Sequence, residues 1–127
     1  MATHNDVGKW GEEYAAQYLK GKGYLILDRN WRPGKGLVDL DIVCLTPDRR
    51  IVAFVEVKTR SKEEITAPEE AVDIRKMRHL GRAADTYVKI RNIVEELRFD
   101  IITIIGKEND LHPQLEHIQD AFNPLLI

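Results

Sequence analysis

The sequence predicts a mixed α/β fold: one mixed sheet flanked by two helices, in the order α-β-β-β-α-β with a weaker final strand. Three observations predict it. Two segments carry apolar residues at helical spacing, one with Val7, Trp10, Tyr14, Ala15, Tyr18 and Leu19, the other with Ala71, Ile74, Met77, Leu80, Ala84, Tyr87 and Val88. Two strand-like runs, residues 37–45 and 51–58, follow each other across the polar loop Thr46-Pro47-Asp48-Arg49-Arg50. A later run, residues 98–105, has the continuous apolar density of a central strand.

The first helix is expected over residues 7–20, with Asn5 or Asp6 as N-cap and Gly21 and Gly23 as its stop. Residues 24–28 read as a short strand, and Asn30-Trp31-Arg32-Pro33-Gly34-Lys35-Gly36 as a turn. The two strand runs come next, and residues 61–65 form a polar loop. Thr66-Ala67-Pro68-Glu69 resembles a capping box with proline in the first turn, which opens the second helix. After strand 98–105 the chain turns at Gly106-Lys107-Glu108-Asn109-Asp110, and residues 114–118 make the weaker strand.

With 127 residues, 43% apolar and 31% charged, the chain reads as one globular domain over residues 1–127. No apolar run reaches membrane-spanning length, and residues 1–6 lack the basic start and apolar stretch of a signal peptide. The single cysteine, Cys44, lies in an apolar strand run and has no internal partner. A cytoplasmic, reducing location is expected, with no membrane partner. The net charge of −2 does not announce a nucleic-acid binder. The balance is local, however: without the acidic tail from Lys107 onward, 18 basic and 17 acidic residues remain. Arg75, Lys76, Arg78 and Arg82 cluster with no intervening acid, and Arg29, Arg32 and Lys35 form a second basic group. Such patches contact phosphates even when the overall balance is acidic.

The chemistry concentrates in Phe54-Val55-Glu56-Val57-Lys58, read with Asp41 on the preceding run. Strand side chains alternate faces, so Val55 and Val57 share one face while Glu56 and Lys58 share the other. Neighbouring strands then place Asp41, Glu56 and Lys58 at one spot. Two carboxylates beside an ammonium can hold a hard divalent cation and activate water, the arrangement of a metal-dependent phosphodiesterase.

Further segments run through the chain: Gly11-Glu12 with Ala15 and Leu19, Gly23-Tyr24, Arg29-Asn30-Trp31-Arg32, Asp39-Leu40-Asp41-Ile42-Val43, Phe54 to Arg60, Lys76, Arg98-Phe99-Asp100 and Asp120-Ala121-Phe122. On these the chain resembles the YraN-type uncharacterised protein family, within the restriction-endonuclease-like superfamily of PD-(D/E)xK nucleases. The resemblance implies a restriction-endonuclease-like core. It implies Asp41 and Glu56 as metal ligands and Lys58 as the group that positions water or stabilises charge. It adds Glu12, a helix glutamate that some related nucleases bring to the metal, and the backbone carbonyl of Val57 as a further oxygen. The expected cofactor is Mg²⁺, with Mn²⁺ as a substitute, and the expected substrate is nucleic acid, DNA before RNA. One site per chain favours a homodimer if both strands of a duplex are cut. Asp39 stands where the family pattern has glutamate. It is an outer-shell residue, a second ligand or a solvated charge.

Each candidate has a plainer explanation. Glu56 and Lys58 could form an exposed ion pair on an edge strand. Glu12 near a helix start is favoured by the dipole alone. Lys76, with Arg75 and Arg78, contacts phosphate or lines a solvated helix face. Arg32 and Arg60 are phosphate contacts or strand and loop punctuation, as is Thr59. Trp31 stacks on a base or covers the core. His112 and His117 lack the partner spacing of a structural zinc site. Three classes follow: a metal-dependent endonuclease acting on DNA, with branched or structured forms included; a nucleic-acid-binding module with the same fold and negligible cleavage; and a protein-interaction domain docking through the tail Asn123-Pro124-Leu125-Leu126-Ile127.

Overall fold

The computed structural model describes residues 4–34, 38–60 and 73–126. Along them run α1 (His4–Gly21), β1 (Leu25–Trp31), β2 (Leu40–Leu45) and β3 (Ile51–Arg60). Next come α2 (Ile74–Arg91), β4 (Glu96–Ile105), β5 (Gln114–Ile118) and a 3₁₀ turn at Pro124–Leu126. The five strands lie in chain order in one sheet. β1, β2 and β3 form an antiparallel meander, the crossover through α2 makes β4 parallel to β3, and β5 returns antiparallel. The mixed α/β class with its two flanking helices is as expected.

β3 is central because both of its faces are apolar. Residues 52–56 are all buried. On one face Ala53 and Val55 pack with Ala15, Ala16 and Leu19 of α1; on the other Val52 and Phe54 pack with Leu80, Ala84 and Tyr87 of α2. The small α1 residues matter here, since a helix presenting alanine can lie close to a sheet.

Several boundaries differ from expectation. α1 begins at His4, so Asn5 and Asp6 sit inside the helix and are not its N-cap. β1 runs on to Trp31 through residues that read as a turn. A register shift between Ile26 and Asp28 and a left-handed Asn30 (φ 50°) let the strand continue. Trp31 then pairs with Leu40 and meets the Tyr87 ring edge-on at 5.0 Å, so it covers the core. β2 starts only at Leu40, and the expected start at Leu37 lies outside the described residues. β3 and β4 are each two residues longer than expected, because their parallel ladder continues from Ile51↔Glu96 to Arg60↔Ile105. α2 is capped by Asp73, whose carboxylate accepts from the Lys76 amide at 2.8 Å. The expected capping box at Thr66 to Glu69, with Ala71 and the loop at 61–65, lies outside the described residues.

A buried polar network fastens the far edge of the sheet. Asp100 is fully buried. It accepts from Arg98 Nε and Nη2 (both 2.8 Å), from His117 Nε2 (2.8 Å) and from the Asp120 amide (3.0 Å). Arg98 also donates to the Tyr24 hydroxyl at 2.8 Å. Because Asp100 can only accept, His117 donates to it through Nε2, and its Nδ1 lies 3.2 Å from the Tyr18 hydroxyl. The Ala121 amide donates to Phe99 O at 2.7 Å, and Phe122 packs on Phe99. These contacts account structurally for Arg98-Phe99-Asp100 and Asp120-Ala121-Phe122. Burial raises the Asp100 pKa, but the hydrogen bonds from His117 and Arg98 outweigh it and hold the carboxyl below its ordinary value.

Replacing Asp100 by Ala would leave the half-buried Arg98 beside no counter-charge, and urea unfolding should show a loss of about 3–5 kcal/mol. The stability from Asp100 is present above the ordinary Asp pKa of about 3.9 and is lost as pH falls through the lowered folded value. Acid titration of unfolding should therefore show a loss below about pH 4 that is smaller in Asp100→Asn.

Candidate carboxylate and lysine site

Antiparallel pairing of β2 with β3 runs from Leu45↔Val52 to Ile42↔Val55 and stops there. One residue further on, Asp41 Oδ2 accepts from the Val57 amide at 2.9 Å. A side chain has taken over where the backbone ladder ends, which pins the Asp41 carboxylate against β3. Glu56 projects beside it from the central strand and is 8% exposed. The two carboxyls are near enough to share a hydrogen bond. Both line a cavity of about 10 Å³, walled otherwise by Leu40, Ile42, Phe54, Leu80 and other apolar residues. That is room for about one water.

Three elements bring further charge to this point. Lys58 lies two residues beyond Glu56 on the same face of β3, and its charge favours the ionised form of Glu56. α2 brings Lys76, with Nζ 3.5 Å from Glu56 Oε1. The other Glu56 oxygen, Oε2, is buried and has no hydrogen-bond partner among the described residues. α1 brings Glu12 to Asp41, within reach of the Asn30 amide.

The electrostatics reflect this crowding. Burial, then the Glu56 charge, push the Asp41 carboxyl up to about 7, against the pull of the Val57 amide. Burial also raises Glu56, opposed by Lys76, by the hydrogen bond with Asp41 and by Lys58. Burial and Asp41 raise Glu12, opposed by Asn30. The pattern is that of crowded, desolvated carboxyls whose protonated forms are favoured. The three carboxyls form a chain, Glu12 to Asp41 to Glu56. Among the described residues no set of three acidic, histidine or cysteine side chains makes a ready cage for a metal ion.

The sequence candidates divide accordingly. Asp41, Glu56, Lys58, Glu12 and Lys76 come together, with Val57 contributing its amide to Asp41. Asp39 instead pairs with Arg32 at 2.5 Å on the exposed rim before β2. Arg60 ends β3, its carbonyl accepting from the Gly106 amide at 2.9 Å. Arg75, Arg78 and Arg82 are exposed along α2. His117 belongs to the Asp100 network. Two positions entered the sequence reading through the resemblance, with no role at the site assigned. Asn30 needs a left-handed backbone to face Glu12, a conformation asparagine tolerates. Gly11 lies where a Cβ would come within 2.6 Å of Thr59 Cγ2 and 2.7 Å of its Oγ1. Its signal was a glycine inside an otherwise regular helix.

Gly11→Ala should therefore push α1 from β3 and cost about 1–3 kcal/mol in chemical denaturation, with Thr59→Ala in the same chain recovering part of the loss. A second outcome concerns pH. Asp41 holds a raised folded pKa, so the folded state binds more protons than the unfolded chain between about pH 4 and pH 7. In EDTA, stability should fall as pH rises through that window. Asp41→Asn should flatten the decline, as read from urea midpoints at each pH.

Residues 11–104 match the family described as Uncharacterised protein family UPF0102. The UPF0102 protein of Bacteroides thetaiotaomicron is 48% identical over 126 residues, 99% of each chain. That of Porphyromonas gingivalis is 42% identical over 127 residues, 100% of this chain and 90% of its own. That of Flavobacterium psychrophilum is 37% identical over 122 residues, 96% of this chain and 98% of its own. The matched span contains Glu12, Asp41, Glu56, Lys58 and Lys76, the residues that converge at the sheet's centre. The chain belongs to the uncharacterised protein family UPF0102, the YraN family.

Proposed function

We propose that the chain is a metal-dependent endonuclease that hydrolyses phosphodiester bonds in DNA. One observation carries the reading: half-buried Asp41 and buried Glu56 are forced together, with raised proton affinities and a Glu56 oxygen left without a partner among the described residues. Such a pair costs folding free energy and does nothing for packing. It suits a hard divalent ion, whose preferred ligands are carboxylate and water oxygens. Mg²⁺ or Mn²⁺ fits Asp41 and Glu56, with Glu12 and the Val57 carbonyl as the remaining protein oxygens nearby. Bound there, the ion would polarise a phosphate and lower the pKa of a coordinated water.

The residues of the chain have separate tasks in this reading. The Val57 amide orients Asp41. Lys58 holds the attacking water or stabilises negative charge developing on the phosphate oxygens. Exposed Arg75 and Arg78 on α2, with Arg60 at the end of β3, face the polyanionic backbone. No side-chain nucleophile is required.

A second reading is a nucleic-acid-binding module that does not cleave. It is favoured by the absence of a ready three-ligand metal cage among the described residues. The two readings separate in one assay. Labelled single strands, duplexes, flaps, four-way junctions and RNA are incubated with Mg²⁺, Mn²⁺ or EDTA. Metal-dependent cutting should appear and should fall by about 10²–10³-fold in Lys58→Ala, with a comparable loss in Glu56→Ala. Tight binding without cutting selects the module; neither binding nor cutting overturns both.

A further inference from the structure

We propose that Lys76 is an exchangeable counter-ion. It neutralises Glu56 while no divalent ion is at the carboxylates, and it transfers to a phosphate oxygen of bound nucleic acid once an ion is there. The inference rests on the metal-dependent reading above.

The contact itself is that of a replaceable partner. Lys76 Nζ lies 3.5 Å from Glu56 Oε1, whereas the Lys89–Asp85 pair on the same helix closes to 2.8 Å. A hydrogen-bonded ammonium and carboxylate are normally about 2.7–2.9 Å apart, so Lys76 is held by charge without a locked bond. Its side chain is 42% exposed on a flexible four-carbon stem, and that of Glu56 is 9% exposed on the central strand. The lysine can leave; the glutamate cannot. Lys76 also favours the ionised forms of both Glu56 and Asp41, as an ion between them would. A divalent cation neutralises both carboxylates and repels an ammonium a few ångströms away.

Among the described residues, the surroundings of Lys76 offer it few other anions. It lies in the first turn of α2, which contains no acidic residue. The N-cap carboxylate of Asp73 already accepts from the Lys76 amide. Exposed Arg75 and Arg78 adjoin it, and the amides of a helix start add positive potential. A nucleic-acid phosphate is the anion that this surface would supply with a partner.

The test is the salt dependence of duplex DNA binding, measured by fluorescence anisotropy in Ca²⁺ and in EDTA for the parent, Lys76→Gln and Lys76→Arg. In Ca²⁺ the parent's slope of log affinity against log salt should exceed that of Lys76→Gln by about 0.9, roughly a threefold greater loss for each fourfold rise in salt. In EDTA the two slopes should coincide. Lys76→Arg should restore the parent slope. In Glu56→Gln, which releases the lysine, the difference should appear without any ion. Calorimetry without DNA should show tighter Ca²⁺ uptake by Lys76→Gln. A slope difference that is the same with and without ion, or absent in both, overturns the exchange and leaves the metal-dependent reading in place. Failure to take up Ca²⁺ or to bind duplex overturns both.

Discussion

The hydrogen bond from the Val57 amide to the Asp41 carboxylate marks where the sheet stops pairing with itself and where its charge collects. Up to Ile42↔Val55 the β2–β3 ladder is closed by backbone groups. Beyond it an acidic side chain accepts the next strand amide. That substitution places Asp41 beside Glu56, where burial and the Glu56 charge draw Asp41 toward protonation, and marks a point between the two flanking helices that Glu12 and Lys76 approach from opposite elements. The remaining architecture serves this convergence. α1 lies close to β3 because Gly11 has no Cβ against Thr59, and α2 follows its crossover so that its first turn ends over Glu56.

Two groups of buried carboxylates make an instructive contrast. Asp100 receives donors from Arg98, His117 and the Asp120 amide, and its pKa is lowered. Its role is to tie β4 to the C-terminal segment and to Tyr18 and Tyr24. Glu56 is also buried and Asp41 half-buried, yet their pKa values are raised and a Glu56 oxygen lacks a partner among the described residues. Burial is common to both groups; the supply of donors is not. A satisfied buried charge serves the fold, and an under-satisfied pair points to a ligand.

The basic residues fall into similar divisions. Arg29 pairs with Glu13 and Arg32 with Asp39, so the basic group before β2 is spent partly on local ion pairs. Along α2, Arg75, Arg78 and Arg82 remain exposed, and Lys76 alone among them reaches the carboxylates. A chain with net charge −2 therefore still carries an exposed basic group on one helix beside the candidate site. Local placement, more than the overall balance, governs what such a surface attracts.

The sequence by itself determined the element order, the interior position of the β4 run, and the convergence of Asp41 with Glu56 and Lys58. Those follow from period-two and helical spacing, which local chain geometry enforces before any tertiary contact forms. Tertiary structure alone decided the rest. It extended β1 to Trp31, because pairing with Leu40 and packing on Tyr87 outweigh turn-like composition. It turned Asp39 to Arg32 and Lys76 to Glu56, since which charges meet depends on distances between elements far apart in the chain. It also revealed why Gly11 and Asn30 are needed. A missing Cβ and a left-handed backbone acquire meaning only through what packs against them.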